Sequence, residues 1–126
     1  MVRPKEKELT QRELEVMHVF WKYGELTAIQ ARDHLENDGL KRAYPTIANL
    51  VRVLYEKKLL TQLTEERPFR YAPAKSHDDV ANGLVRDLVD RVFFGSREKF
   101  LVGMLGSKKL TAKERSALEK LLKDSK

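Results

Sequence analysis

Two side chains near the middle of this 126-residue sequence have the types and spacing needed to read the edges of DNA bases. Asn49 and Arg52 are three positions apart in a segment with helical periodicity, so they point outward on one side, together with Pro45 and Glu56. An asparagine and an arginine one turn apart can form bidentate hydrogen bonds with adenine and guanine in a major groove. The same pair also fits the solvated face of a buried helix.

The opposite side of this segment carries the apolar stripe that a helix needs in order to dock on a core. The stripe follows the spacing i, i+3, i+4, i+7 and consists of Ile47, Leu50, Val51 and Leu54. We therefore predict a helix within residues 41–60, with Pro45 in its first turn, where a missing N–H has no consequence.

A two-stranded hairpin is predicted directly after this helix. Residues 61–64 and 69–72 are short β-prone runs, and Pro68 lies among charged residues in the tip between them. Arg67 lies at the tip and Arg70 in the return strand, where either can reach a phosphate or a minor groove. A single surface arginine is also common without such a role. A helix followed by such a ribbon has the order of a reading helix and its wing.

Basic residues concentrate in this helix and hairpin. The chain has 25 Lys and Arg against 19 Asp and Glu, which gives a formal net charge of +6. Residues 41–75 contain 8 basic and 3 acidic residues, whereas residues 1–40 contain 6 and 8 and residues 76–126 contain 11 and 8. A localised positive field of this kind favours a polyanion such as DNA and makes binding salt-dependent.

Two helices are predicted ahead of the reading segment. Thr10 and Glu13 form a T-x-x-E capping box, and Gly24 is suited to end the helix that follows. Thr27 and Gln30 repeat the box for a shorter helix. The first helix is predicted to place three large residues in the core: Leu14, Met17 and Trp21. The resulting order of helix, short helix, reading helix and hairpin is that of a winged helix-turn-helix.

Three amphipathic helices are predicted after residue 75. Ser76, Ser96 and Thr111 are suited to begin them, and Gly95 and Gly106 to end the first two. We predict that ten of their apolar residues form a dimer interface: Leu84, Val85, Leu88, Val92, Phe100, Leu101, Met104, Leu118, Leu121 and Leu122. About 50 residues are too few to bury such stripes, so the same segment of a second chain is predicted to cover them. Docking of this segment on residues 9–73 is the alternative.

The predicted fold class is therefore mainly α. Residues 1–75 are expected to form a winged-helix DNA-binding domain, and residues 76–126 a helical dimerisation domain with three helices. Eight residues are predicted to bind DNA: Arg42, Tyr44, Thr46, Ala48, Asn49, Arg52, Arg67 and Arg70.

Composition and motifs speak against an enzyme. The sequence has no cysteine, no Gly-rich phosphate loop, no nucleophile elbow and no H-E-x-x-H motif. His18, His34 and His77 are dispersed without metal-ligand spacing. No apolar run approaches the roughly 20 residues of a membrane span. We therefore predict no catalytic residue, cofactor, metal or membrane insertion, and a cytoplasmic location.

These segments together resemble the penicillinase-repressor (BlaI/MecI) family of bacterial winged-helix regulators. The resemblance rests on LTQRELEVMHVFW at 9–21, TIANLVRVLYEKKLL at 46–60, the R-x-F-R-Y wing at 67–71, VFFGS at 92–96 and LTAKERSALEKLL at 110–122. It covers nearly the whole chain in register. It implies a homodimeric repressor that binds a two-fold-symmetric operator and leaves it when a membrane sensor protease cuts the C-terminal half.

The reading helix departs from the family pattern. Ala48 and Asn49 stand where relatives often carry a polar or basic residue and Thr. Arg52 stands one position before the family's usual arginine, where this chain has Val53. The operator sequence of relatives therefore does not carry over.

The C-terminal half departs from it as well. Gly103 and Met104 occupy the place of the Asn–Phe cleavage pair of the staphylococcal members, and we predict cleavage there despite the change. The copper-responsive branch uses a C-terminal cysteine cluster, so copper sensing of that type is excluded here. Two other functions fit a winged helix: a protein-binding module, which would not need a basic wing, and a regulator that binds a ligand directly.

Overall fold

The structure is a computed structural model that describes residues 9–106 and 109–124. This part of the chain forms six helices and three short strands. The helices are α1 (Gln11–Tyr23), α2 (Ala28–Asn37), α3 (Tyr44–Glu56), α4 (His77–Val92), α5 (Arg97–Leu105) and α6 (Ala112–Asp124). The strands β1 (Leu26–Thr27), β2 (Leu60–Gln62) and β3 (Arg70–Pro73) form one antiparallel sheet in the order β1-β3-β2. The predicted order of helices and hairpin is confirmed.

Both predicted capping boxes are present. The Thr10 hydroxyl accepts the Glu13 N–H at 3.1 Å, and the Glu13 carboxylate accepts the Thr10 N–H at 2.9 Å. Thr27 and Gln30 exchange the same two bonds at the start of α2. Each box satisfies donors that the first turn of a helix leaves without an intrahelical partner. Gly24 ends α1 with a φ of 86°, a left-handed conformation that glycine adopts without strain.

The hydrophobic core lies between α1, α2, α3 and the sheet. From α3 it takes Ile47, Val51 and Leu54, with Leu50 partly buried, so the predicted stripe is confirmed. The remaining core residues are Val16, Met17, Val19, Phe20, Leu26, Ala31, Leu35, Leu59, Leu60 and Tyr71. The predicted face of α1 was off centre, because Trp21 is only partly buried against this core and Leu14 does not belong to it.

The sheet differs from the predicted hairpin in two ways. Strand β1 was not predicted; Leu26 pairs with Tyr71 and Thr27 with Arg70. Two residues are too few to show strand alternation, and their pairing is fixed by the core beneath them. The tip is also longer than predicted, because β2 ends at Gln62 and β3 begins only at Arg70. Within the tip, the Thr64 hydroxyl accepts the Arg70 N–H at 3.0 Å.

The described chain divides into two compact units between Leu84 and Val85, inside α4. The first turns of α4 pack on α1, where the Trp21 ring meets His77 edge-on at 5.0 Å between centroids. The indole N–H of Trp21 also donates to the Lys75 carbonyl at 3.0 Å. The start of α4 therefore belongs to the winged-helix unit, and a domain boundary at 75/76 stays a prediction.

The second unit contains the rest of α4 with α5 and α6. Phe93 and Phe100 meet edge-on at 5.8 Å between ring centroids, and the capping box of Thr111 and Glu114 begins α6 as predicted. Most of the predicted dimer residues are exposed in the single chain: Val85, Leu88, Val92, Leu101, Met104, Leu121 and Leu122. The other three, Leu84, Phe100 and Leu118, are partly buried.

Ion pairs from α1 hold the two ends of α3. Glu13, only 4% exposed, accepts the Lys57 ammonium on both carboxylate oxygens at 2.9 and 3.0 Å. Glu15 accepts the Arg42 guanidinium at 3.2 and 3.4 Å. Arg42 precedes α3 and Lys57 is its C-cap, so both helix ends are tied to the same neighbour.

We expect Glu13→Gln to lower the free energy of unfolding by about 1–3 kcal/mol. Glutamine can still accept the Thr10 N–H, as Gln30 shows in α2, but it removes the negative charge that faces Lys57. Urea unfolding followed by Trp21 fluorescence measures the change. Glu36→Gln, at an exposed position of α2, is the matched control and should change the value by less than about 0.5 kcal/mol. Equal effects of the two substitutions would contradict the prediction.

Candidate nucleic-acid interface

The outward face of α3 carries the predicted reading residues. Asn49 and Arg52 are both exposed there, as the periodicity predicted. Arg52 lies along the helix, donating to Glu56 at 2.8 Å and to the Asn49 side-chain oxygen at 2.7 Å. A guanidinium only donates, so the Asn49 atom beside it must be the oxygen. The amide nitrogen of Asn49 is therefore the group that it can offer to a ligand without releasing Arg52.

The other predicted residues of this segment differ in accessibility. Tyr44 begins α3 and is about half exposed, whereas Thr46 and Ala48 are partly buried. Arg42 is more enclosed, because its guanidinium is held by Glu15 and its side chain is 22% exposed.

The wing contributes two arginines with different surroundings. Arg70 of β3 donates to Glu25, just before β1, at 2.6 Å. Arg67 lies in the exposed tip, with its guanidinium carbon 5.3 Å from the centre of the Phe69 ring. Such a contact of a cation with a ring face is attractive and orders the arginine without neutralising it. Arg67 therefore keeps its full charge for a partner.

A groove of about 520 Å³ lies between the start of α2, α3 and the wing. Within the described part of the chain its lining contains two arginines, Arg52 and Arg67, and no carboxylate. The rest of the lining is Thr27, Ala28, Ile29, Tyr44, Ala48, Val51, Pro68, Phe69 and Tyr71. The sequence predictions did not include the groove residues Ile29, Phe69 and Tyr71, because these come from separate segments. The one sign of them in the sequence was an aromatic residue close to each wing arginine.

Tyr71 forms part of the groove and is largely buried. Burial raises the pKa of its hydroxyl, nearby Tyr55 and Tyr44 raise the pKa further, and Arg67 acts in the opposite direction. The hydroxyl is therefore protonated at neutral pH, and it can donate a hydrogen bond to an anion.

The histidine rings pack against aromatic side chains. His34 stacks on Tyr23 at 3.7 Å between ring centroids, and His18 packs on Trp21. Residues 9–106 and 109–124 contain no group of three or more His, Asp or Glu arranged to hold a metal ion. None of the helices described is long and apolar enough to cross a membrane.

Residues 9–124 match the protein-family model for the penicillinase repressor. The chain belongs to the penicillinase-repressor family. The chain thus confirms the resemblance drawn from its sequence. It is 33% identical to the transcriptional regulator BlaI of Mycobacterium tuberculosis over 81 residues, which are 64% of this chain and 57% of that protein. The match thus spans little more than half the length of that relative.

Two solved structures support the fold. The DNA-binding domain of the repressor BlaI superimposes with a TM-score of 0.51 at 26% identity, covering 63% of this chain and 93% of that domain. RosR of H. salinarum superimposes with a TM-score of 0.51 over 93% of both chains, but at 14% identity it supports the fold alone. The predicted winged-helix fold is confirmed.

Proposed function

We propose that this protein is a sequence-specific transcriptional repressor that binds a palindromic DNA operator as a homodimer. The observation that carries the proposal is the exposed Asn49 and Arg52 of α3, which lie beside a groove whose charged lining is entirely basic among the described residues. A groove lined by both basic and acidic side chains would favour a protein partner, whereas the arginines of this groove complement the negative charge of phosphate. The family is one of repressors, and no catalytic role is proposed.

In the proposed complex α3 enters the major groove. Asn49 and Arg52 then face base edges, and Arg67 reaches the phosphates or the minor groove beside it. The DNA backbone that separates the major groove from the minor groove would run along the protein surface groove between α3 and the wing. Its phosphates would meet Arg67, and its sugars would pack on the apolar lining. The remaining proposed contacts are Arg42, Tyr44, Thr46, Ala48 and Arg70.

Arginine substitutions should separate base reading from backbone binding. Arg52→Ala should weaken binding to the preferred duplex by about 1–3 kcal/mol and relax its sequence preference, because a base contact is lost. Arg67→Ala should weaken binding to all duplexes nearly equally and flatten the salt dependence, because a phosphate contact is lost. Fluorescence anisotropy with selected and random duplexes measures both effects.

Arg12→Ala, at an exposed position at the start of α1, is the control for loss of one positive charge. It should change neither the preference nor the salt dependence as much as the two test variants do. Equal binding of the unaltered protein to selected and random duplexes at physiological salt would sink the proposal.

The apolar stripe of α4 supports the homodimer. Val85, Leu88 and Val92 share one side of the helix, and all three are exposed in the single chain. Exposed Leu101, Met104, Leu121 and Leu122 extend the apolar surface of the second unit. Large exposed apolar patches are uncommon on monomers, and soluble oligomers are mostly symmetric homomers. A two-fold pair of reading units would require an operator with two-fold symmetry.

Leu88→Asp and Leu121→Asp should each convert the dimer to monomer, because a charge without a partner would enter the interface. Both residues are exposed in the chain, so the helices should still form; far-UV circular dichroism checks this. Gly83→Asp is the matched control, since Gly83 lies on the far side of α4 with open space around it. Sedimentation at micromolar concentration decides: a monomeric unaltered protein would refute the proposed dimer.

Release from DNA is proposed to follow cleavage between Gly103 and Met104 by a membrane sensor protease. Both residues lie in the last turn of α5 and are exposed in the single chain. A protease needs an extended substrate, so α5 must open locally. Glycine inside a helix makes such opening easier by about 0.5–1 kcal/mol relative to alanine.

Gly103→Ala should slow cleavage by stabilising α5, and the double change Gly103→Ala, Met104→Ala should slow it further by altering the cleaved bond. The new methyl group at residue 103 would meet the Phe93 ring at 3.8 Å, an ordinary contact. Gly83→Ala, in α4, controls for a general gain in helix stability. Immunoblots before and after derepression measure cleavage. Full-length protein that persists through derepression would show that another signal, such as a ligand, releases the repressor.

Direct binding of a ligand is the second candidate for the signal. The groove between α3 and the wing has a volume within the range of small-molecule sites. An occupant there would compete with the DNA strand for the same arginines.

As a repressor, the protein would act in the cytoplasm.

A further inference from the structure

Two of the arginines proposed to contact DNA are held in exposed ion pairs by carboxylates of the same chain. Arg52 pairs with Glu56 at 2.8 Å, and Arg70 pairs with Glu25 at 2.6 Å. All four side chains are well exposed, between 38% and 59%. DNA that approaches this face therefore meets two carboxylates together with the arginines.

We propose that Glu56 and Glu25 compete with DNA for Arg52 and Arg70, and that Glu56 is in this way a specificity-determining residue. The inference rests on the proposed function, because it assumes that this face binds a duplex. It adds a restraint on binding: the two carboxylates lower the affinity for DNA in general, and Glu56 lowers it most for the wrong sequence.

The competition follows from the exposure of the pairs. Ion pairs between exposed side chains are weak, so a phosphate or a guanine edge can displace the carboxylate. The displaced carboxylate then remains a few ångströms from DNA phosphates, and the like charges repel. Glu15 does not behave in this way, because its pair with Arg42 is more enclosed and serves to hold α3 on α1.

Glu56 acts on sequence because it lies on the reading face itself. Where a guanine faces Arg52, the arginine can turn from Glu56 to the base, and the freed carboxylate can accept a hydrogen bond from the amino group of a nearby cytosine. At other sequences Arg52 gains no base contact and stays with Glu56. The face then presents no net positive charge from this pair, so binding to the wrong sequence is weak.

Glu25 acts on all sequences alike. It precedes β1 and holds Arg70 of β3, which is proposed to contact phosphate and not a base. When Arg70 turns to a phosphate, Glu25 takes up a cation from solution, and this uptake offsets part of the counterion release that accompanies DNA binding. The carboxylate thus reduces both the affinity and its dependence on salt.

The test compares Glu56→Gln and Glu25→Gln with the control Glu36→Gln, which removes an exposed carboxylate from the end of α2. Affinity is measured for the best selected duplex and for a scrambled duplex of equal length, across a series of salt concentrations. Glu56→Gln should raise affinity for the scrambled duplex by about two- to tenfold and raise it less for the selected one. Glu25→Gln should raise both by a similar factor and steepen the slope of log affinity against log salt by up to about one.

Glu56→Asp separates charge from tethering, since it keeps the negative charge on a shorter side chain. It should keep most of the original preference between the two duplexes. A preference as low as that of Glu56→Gln would overturn the role of repulsion.

Failure of this inference can be told from failure of the proposed function. If the unaltered protein prefers the selected duplex but both glutamine variants match Glu36→Gln in preference and salt slope, the inference alone is wrong. Lower affinity of Glu56→Gln for both duplexes would also overturn it, because Glu56 would then assist binding. If the unaltered protein shows no preference at all, the proposed function fails first.

Discussion

The placement of α3 depends on the contacts of one buried group, the Glu13 carboxylate. It closes the capping box of α1 through the Thr10 N–H and, from the same buried position, holds the Lys57 ammonium at the end of α3. Glu15, two residues later, holds Arg42 ahead of α3. Residues at the start of α1 therefore hold both ends of α3. The apolar stripe of α3 orients the helix about its axis, and these two end contacts add a constraint on its position along α1.

The same pairs change the meaning of the positive charge in residues 41–75. Lys57 and three arginines of this segment are paired with carboxylates, one of them from α3 itself and the others from segments earlier in the chain. The positive field at the surface is thus smaller than the residue count suggests. Arg67, held against an aromatic ring, contributes its charge undiminished. Net charge steers a polyanion to the surface, but local pairing decides which cations can bind it.

Local patterns in the sequence predicted much of this fold, whereas the pairings between distant residues could not be predicted from the sequence. The capping boxes and the stripe of α3 depend on residues three or four positions apart, so periodicity revealed them. Strand β1 exists because Leu26 meets Tyr71 across the sheet, and no pattern within two residues can show that. The pairs of Glu13 with Lys57 and of Glu25 with Arg70 span 44 and 45 positions, and the groove combines three separate segments. The residues that read DNA and join the chains remain predictions.

The two units differ in how far a single chain can stabilise them. The winged-helix unit buries residues from three helices and all three strands, so its reading face is set within one chain. In the described part of the second unit Val89 is buried, while α5 and α6 bury no residue fully. In the proposed dimer, a unit with so small a core would gain much of its stability from association, and its folding would depend on protein concentration. An event that weakens association there would reduce DNA affinity through loss of the second half-site, without any change at Asn49 or Arg52.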